Sequence, residues 1–437
     1  MSDLLNAASL IMIPSGYSED KVYSAVPTDG SGDLSFTRSS NGTRINSAGL
    51  VEVCPWNLFE QSEDFSSGSW AAANATIVAN DAVAPNGTTT ADKFTTTSTS
   101  AECQVRASNF SILSNVGIPY TTSVYAKKGT ANFLRIRNLF SSVTVVERNG
   151  WFNLNTGTLG TIDSGQTGTI TDVGNGWYRC TLSGLVGASG NANLVDIGFT
   201  NTDNTYFPTT SVNGYIWGAQ LNIGSTAKPY FPTTDRLNVP RLTYQNGCPS
   251  LLLEKQSTNL QLNSEDFSQS NWSVFGATIA TNQITSPDGT VNADKINETA
   301  INNIHQAESS RTITSGSATM SVFAKKGERD YVLLFEDTNS NGAYFNLNTG
   351  TIGTIIGATA TAKIENMGNG WYRCSMTYTE TGTFGRYRIR VANADNNMVY
   401  LGVSGYGIYV WGAQLEVSSY PTSYIPTTSA SATRVAD

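Results

Sequence analysis

Apolar and polar residues alternate along this chain with a period of two, not 3.6. From Tyr120, alternate positions reach Val124 and Ala126. Tyr178, Cys180 and Leu182 share one face of the next such run, and Trp177, Arg179 and Thr181 the other. The triplets Asn155-Thr156-Gly157 and Gly174-Asn175-Gly176 lie beside these runs and predict turns. Tyr215 to Leu221 reads as a strand, in which Gly218 predicts a bulge or a close backbone approach. Short strands at regular spacing, without crossover helices, predict an antiparallel β-sandwich. A jelly roll of about 170 residues fits best.

The pattern occurs twice, in the same order. Ser62–Phe65 recurs as Ser264–Phe267, and Ala91–Lys93 as Ala293–Lys295. Ser123–Gly129 recurs from Ser321, Phe152–Thr158 from Phe345, and Gly174–Cys180 identically from Gly368. Tyr215–Leu221 recurs as Tyr409–Leu415, and Tyr230–Thr234 as Tyr424–Thr428. A period this long is a whole domain, able to bury its own core, not a solenoid unit. Length differences between the copies fall between 93 and 123 and between 129 and 152, which predicts surface loops there. Junction sequences repeat as well. Thr43-Arg44-Ile45-Asn46 leads to Cys54-Pro55, Asp235-Arg236-Leu237-Asn238 leads to Cys248-Pro249, and Ala432–Asp437 reads as a third junction begun. The expected organisation is an all-β chain with an extended N-terminal leader (1–55), a first jelly roll (56–235), a short connector (236–258) and a second jelly roll (259–437).

Composition narrows the function. The chain of 437 residues is only 14% charged and 10% aromatic, with 40 Gly and 13 Pro. It is too aromatic for disorder and too rich in turn residues for a helical bundle. A formal net charge of −8 argues against a nucleic-acid coat. The single histidine, His305, cannot build a multi-histidine metal site and weighs against a Ser-His-Asp hydrolase. The five cysteines show no CxxC spacing and are read as small buried apolar residues of a protein folded under reducing conditions. The apolar run Ala7–Ile13 ends at Pro14, too short for a bilayer, and Asp3 precedes it where a signal peptide would be basic.

Both openings, NLFEQSEDFSSGSW (57–70) and NLQLNSEDFSQSNW (259–272), resemble that of a widespread bacteriophage module. The SVYAKKG-like, FNLNTGT-like, GNGWYRC, IWGAQL and closing Pro-Thr-Thr blocks follow in order, twice. The connector (240–260) and the PTDGSGDLSFTR run of the leader (27–38) are similar to segments of the same proteins. The resemblance implies a phage structural protein with tandem modules similar to carbohydrate-binding jelly rolls: a tail fibre, a head fibre or another virion appendage. It implies synthesis in the bacterial cytoplasm and residence in the virion, which accounts for thiols without a signal peptide. It also implies virion partners reached through the leader, homo-oligomerisation by analogy with fibres, and host-surface polysaccharide as a ligand. Neither nucleic acid nor membrane insertion is expected. Deleting the leader is expected to leave two folded modules.

Sugar binding needs an aromatic platform flanked by polar groups. The tryptophans present in both copies, Trp70/Trp272, Trp177/Trp371 and Trp217/Trp411, are assigned to core packing, since the scaffold is what two copies share. Unpaired aromatics are the ligand candidates: Trp151, Tyr206, Phe207, Tyr400 and Tyr406. Alternation puts Arg386, Arg388 and Arg390 on one strand face, either a strip facing an acidic polysaccharide or neighbouring subunit, or a solvated outer face. The pairs Glu63-Asp64 and Glu265-Asp266 are read as turn or cap residues, with a structural calcium, implied by resemblance, as the alternative. No cofactor is otherwise expected. The favoured function is a non-enzymatic virion structural protein. A dedicated glycan-binding adhesin is the alternative, and a glycan-degrading enzyme is the weakest reading, since no catalytic carboxylate pair is recognisable.

Overall fold

The computed structural model describes residues 7–108, 110, 119–140, 148–186, 193–245 and 247–437. The fold is all-β, and the described chain forms two compact units. One is Pro55–Arg236. The other joins the leader, up to Cys54, with Leu237–Asp437.

Each unit contains an antiparallel jelly-roll sandwich of two six-stranded sheets. In the first, the front sheet runs Gln166–Gly174, Trp177–Leu185, Pro119–Lys128, Asn213–Ile223, Ala91–Thr96, Ala75–Ala82. The back sheet runs Thr158–Ile162, Asn149–Asn153, Phe133–Phe140, Asn193–Thr200, Gln104–Ala107, Trp70–Ala73. The second sandwich repeats both orders. Its front sheet runs from Thr361–Gly368 through Trp371–Glu380, Gly316–Lys326, Gly407–Glu416 and Val291–Glu298 to Ala277–Thr285. Its back sheet runs from Thr351–Ile356 through Asn341–Asn346, Tyr331–Glu336, Phe384–Ala392 and His305–Thr312 to Ser273–Phe275.

The repeated sequence blocks are the devices that shape these sheets. Asn175 and Gly176 both have positive φ (54° and 76°), as do Asn369 and Gly370 (52° and 78°). Each pair makes a two-residue hairpin turn whose backbone matches the right-handed strand twist. Gly218 (φ 61°) and Gly412 (φ 64°) sit at bulges, where the register against the neighbouring strand slips. The bulge turns Ile216 and Ala219 toward the core while Trp217 points outward. The Asp92 carboxylate accepts the backbone N–H groups of Phe65 and Asn80, and Asp294 those of Phe267 and Asn282, which ties each module's opening turn to its front sheet. Asn57 and Asn259 donate to carbonyls of the bulged strand and the closing segment (Ala219 and Phe231; Ala413 and Ile425).

The main cores lie between the sheets. In the first sandwich Phe94, Val124, Leu134, Phe152, Cys180 and Ile197 are among the buried residues; in the second, Ile296, Val322, Leu334, Phe345, Cys374 and Ile389. Each such side chain stabilises its unit by about 1.5–3 kcal/mol. Trp70 and Trp272 belong to these cores, against Phe65 and Phe267. Trp177, Trp217, Trp371 and Trp411 are equally buried but lie outside the main cores, in smaller clusters on the outer face of each front sheet. Tyr230 and Tyr424, from the closing segments, pack against these indoles at 4.9 and 4.8 Å between ring centres. Apart from Trp70 and Trp272, the inter-sheet space is filled by smaller side chains, and these four indoles are roofed by chain from the end of the module.

Leader and connector fold with the second sandwich, unlike the separate segments expected from sequence. Leader strands Gly42–Ile45 and Val51–Cys54 form one hairpin, and Arg241–Gln245 and Cys248–Leu252 another. Arg44 donates to the Leu242 carbonyl. Arg38, Arg241 and Arg434, all fully buried, converge on Asp437, while Arg241 and Arg434 also meet Glu254. Burial opposes the ionised Asp437, but Arg241 and Arg38 outweigh it and hold its pKa below the ordinary carboxylate value. Of the expected surface loops, residues 109, 111–118 and 141–147 lie outside the described residues. Four cysteines are buried and unpaired, as sequence suggested. Cys248 is exposed, because it opens the outer strand of the connector hairpin.

Candidate functional site

The back sheet of each sandwich turns a polar and aromatic face outward, and the sequence candidates other than Tyr400 and Tyr406 lie on it or on the loop that covers it. In the first module Arg135 lies between Trp151 and Gly198 on neighbouring strands. Trp151 is fully buried and offers no sugar platform. Its indole N–H donates to the Thr205 carbonyl (2.9 Å), and Tyr206 packs edge-on against it at 5.7 Å. The loop after Asn193–Thr200 thus folds down and covers it. Arg135 stacks beneath Tyr206 (5.4 Å) and donates to Gln104 (3.1 Å) and Glu102 (3.2 Å). Phe207, 42% exposed, is the aromatic this loop leaves in solvent. Arg106 and Arg137 both donate to the buried Asp196.

The second module places Arg386, Arg388 and Arg390 on the outer face and Tyr387 and Ile389 in the core, as alternation predicts. The free anion-facing strip is not formed. Arg388 pairs with Glu308 (2.5 Å) and Asp337 (2.8 Å), and Arg386 also reaches Asp337 (3.3 Å). Arg390 donates to Gln306 (2.7 Å) and lies 4.3 Å over the Phe335 ring. Burial, then the neighbouring Arg388, lowers its pKa to about 10. Only Arg386 is exposed, so a polyanion meets one cation whose charge Asp337 already balances.

Tyr400 and Tyr406 sit at one end of this sandwich. Tyr400 is buried: its hydroxyl donates to Glu298 (2.5 Å) and its ring meets His305 at 4.7 Å. Burial and Glu298 raise its pKa. Tyr406 is 41% exposed, with the Arg329 guanidinium 5.1 Å over its ring. Arg329 is itself paired with Glu298. Ile301, Leu401 and Val403 are exposed on the same loops.

The acidic pairs are engaged by protein groups. Asp64 and Asp266 accept the N–H and hydroxyl of Ser66 and Ser268, closing tight turns. Glu63 and Glu265 accept the hydroxyls of Tyr230 and Tyr424. Burial, then the nearby Asp288, raises the Glu265 pKa to about 8, and burial raises that of Asp294 to about 7. Among the described residues no group of three or more His, Cys, Asp or Glu side chains could hold a metal ion.

A cleft of about 580 Å³ that sequence reasoning missed opens on the front side of the second unit. Leader Leu50 lines it together with Ile284, Pro287, Val291, Lys325, Met367 and Trp371. No local signal marks it, because one wall comes from residue 50 and the rest from residues 283–371.

No family model matches the chain, and no curated protein does. Among solved structures it is similar to the N-terminal CBM22-1-CBM22-2 tandem domain of Xyn10C from Paenibacillus barcinonensis. The identity is 12% and the TM-score 0.26, over 83% of this chain and 96% of that one.

Proposed function

We propose that this protein is a non-enzymatic structural component of a bacteriophage virion, a fibre or a capsid or tail appendage that displays two carbohydrate-binding-like sandwiches. One observation carries the reading. The residues that both copies keep include those that close the fold: the two bulge glycines, the Asn-Gly turns, the capping aspartates and the tyrosine-roofed indoles. The outer faces of the back sheets differ, with Arg135, Trp151 and Gly198 in one copy against Leu333, Tyr344 and Arg390 in the other. A duplicated reaction would demand matched chemistry on matched surfaces, whereas a duplicated display module demands only a matched frame. The resemblance of the repeated blocks and the leader to phage modules supplies the particle. Cryo-electron microscopy of purified virions tests this: density for the two sandwiches on the particle is expected, and a particle complete without the protein overturns it.

A second reading, a dedicated adhesin for host glycan, is favoured by Phe207 and Tyr406, exposed aromatics beside Arg135-backed Tyr206 and Arg329 respectively. Glycan-array binding lost on Phe207→Ala or Tyr406→Ala supports it, and an array without signal removes it. Trp151 is unsuitable for this test, since its removal would open the fold.

A further inference from the structure

The front faces of the two sandwiches carry the same aromatic set, and in the second a leader hairpin packs over it. In the second sandwich Val51 of the leader hairpin joins Phe323, Trp371, Trp411 and Tyr424 in one buried cluster, with Ile45 packed against it. The Val51 N–H donates to the Pro287 carbonyl (2.9 Å), and the Thr43 hydroxyl donates to that of Tyr424. Leu50 approaches Gly289 closely. Phe323 and Tyr424 are buried beneath this hairpin.

In the first sandwich the repeat places Tyr125, Trp177, Trp217 and Tyr230 at the same positions. The matching loop has the same internal hydrogen bonds: Ala84 N–H to Thr88 O and Gly87 N–H to Ala84 O, against Ser286 to Thr290 and Gly289 to Ser286. Yet Tyr125 and Tyr230 are only half-buried, Val83 is 56% and Val173 41% exposed, and the space beyond Gly87 is open. This face has the frame of the leader's seat: Trp177 and Trp217 are buried under Tyr230, and among the described residues nothing takes the leader hairpin's place over the rim formed by Tyr125, Tyr230, Val83 and Val173.

We propose that the front face of the first sandwich is a docking seat for a second copy of this chain, filled by that copy's connector hairpin. The described residues form two junction hairpins and two such seats, and the leader hairpin occupies one in its own unit. Val51 opens the return strand of the leader hairpin opposite Ile45; Cys248 opens that of the connector hairpin opposite Gln245. Cys248, Pro249 and Ser250 are exposed in this strand, and Leu253, the next residue after it, is 60% exposed, so the hairpin presents an uncovered edge with an apolar side chain at its end. Seat and hairpin are different surfaces, so the contact is head-to-tail and builds a ring or an open filament.

The full chain carrying Val83→Cys tests this with a short bis-maleimide. Cys248 is the exposed native thiol, the other four being buried. A covalent dimer is expected with V83C and is lost in V83C/C248S. In sedimentation, wild-type protein assembles with concentration, and Val83→Asp with Val173→Asp shifts it to monomer with unchanged melting. A cross-link retained in V83C/C248S, meaning that two seats meet face to face, overturns the proposal. So does a cross-linked product of monomer mass, or a wild-type protein that stays monomeric.

Discussion

Arg135 and Arg390 bring guanidinium groups to equivalent glutamines, Gln104 and Gln306, from different strands. In the first copy Arg135 stands opposite Gly198; in the second Leu333 stands opposite Arg390. The large cation has changed sides of one ladder. Beside it, the signs of a cross-strand pair are inverted: Arg106 with Asp196 against Glu308 with Arg388. Reading along one strand, the triplet at 386–390 looks like unmatched positive charge, because its partners are some 50–80 residues away in sequence and only sheet order brings them near. Arg390→Ala is therefore expected to destabilise its unit by about 1.5–3 kcal/mol in denaturant titration and to leave binding to acidic polysaccharide unchanged. Loss of polyanion binding at full stability would restore the ligand strip. Glu265 makes a second residue-scale prediction. Its folded pKa is raised by burial, so the folded state holds the proton more tightly than the unfolded one, and stability is greatest below the unfolded value of about 4.3. That stability is lost as pH rises toward about 8. Glu265→Gln keeps an acceptor for Tyr424 and should flatten the fall in Tm between pH 5 and 8. The expected gain at pH 8 is at least about 1 kcal/mol, or about 2–4 °C for a unit of this size. An unchanged pH profile would place the proton elsewhere.

Strands, turns and bulges were legible because each follows from a local rule: alternation for the faces, Asn-Gly for the hairpins, an interior glycine for the bulge. The destination of the repeated tryptophans was not. Periodicity puts Trp177 opposite Cys180 across the strand, but whether the outer face is wet or roofed depends on Tyr230, more than 50 residues on, and at Trp371 also on the leader. Trp151 misled for the same reason, since a loop 50 residues downstream covers it. The bulge gives the sharpest test at this scale. A Cβ at Gly412 would stand 2.8 Å from Phe323 and 3.3 Å from Tyr424, on a backbone with φ of 64°. Gly412→Ala should cost about 1–3 kcal/mol, read as a lower denaturation midpoint, with loss of near-ultraviolet signal from the Trp411 cluster. A neutral result would mean that the strand regains regular pairing without the bulge.

Duplication made the two sandwiches readable as domains, but it hid what the leader does. A segment that precedes the first module in sequence completes the second in space. Nothing local in residues 7–54 announces this, because the complementary groups lie some 200–400 residues away: Thr43 to Tyr424, Arg38 to Asp437, Val51 to Pro287, and the Thr43 carbonyl to Arg241. Removing the leader should therefore act on one unit only. Arg241 and Asp437 would each lose a buried partner, a change that ordinarily costs about 3–5 kcal/mol, and the Trp371–Trp411–Tyr424 cluster would lose its packing against Val51 and Ile45. The first sandwich keeps its Asn57 ties and its own roof of Tyr230, so its melting should not move. Calorimetry of the full chain and of a form lacking residues 1–54 separates the cases. The expected result is one transition displaced downward or abolished and the other unmoved. Both transitions unmoved would make the leader an appended tail, as the sequence alone suggests. Both displaced would mean that the sandwiches unfold as one.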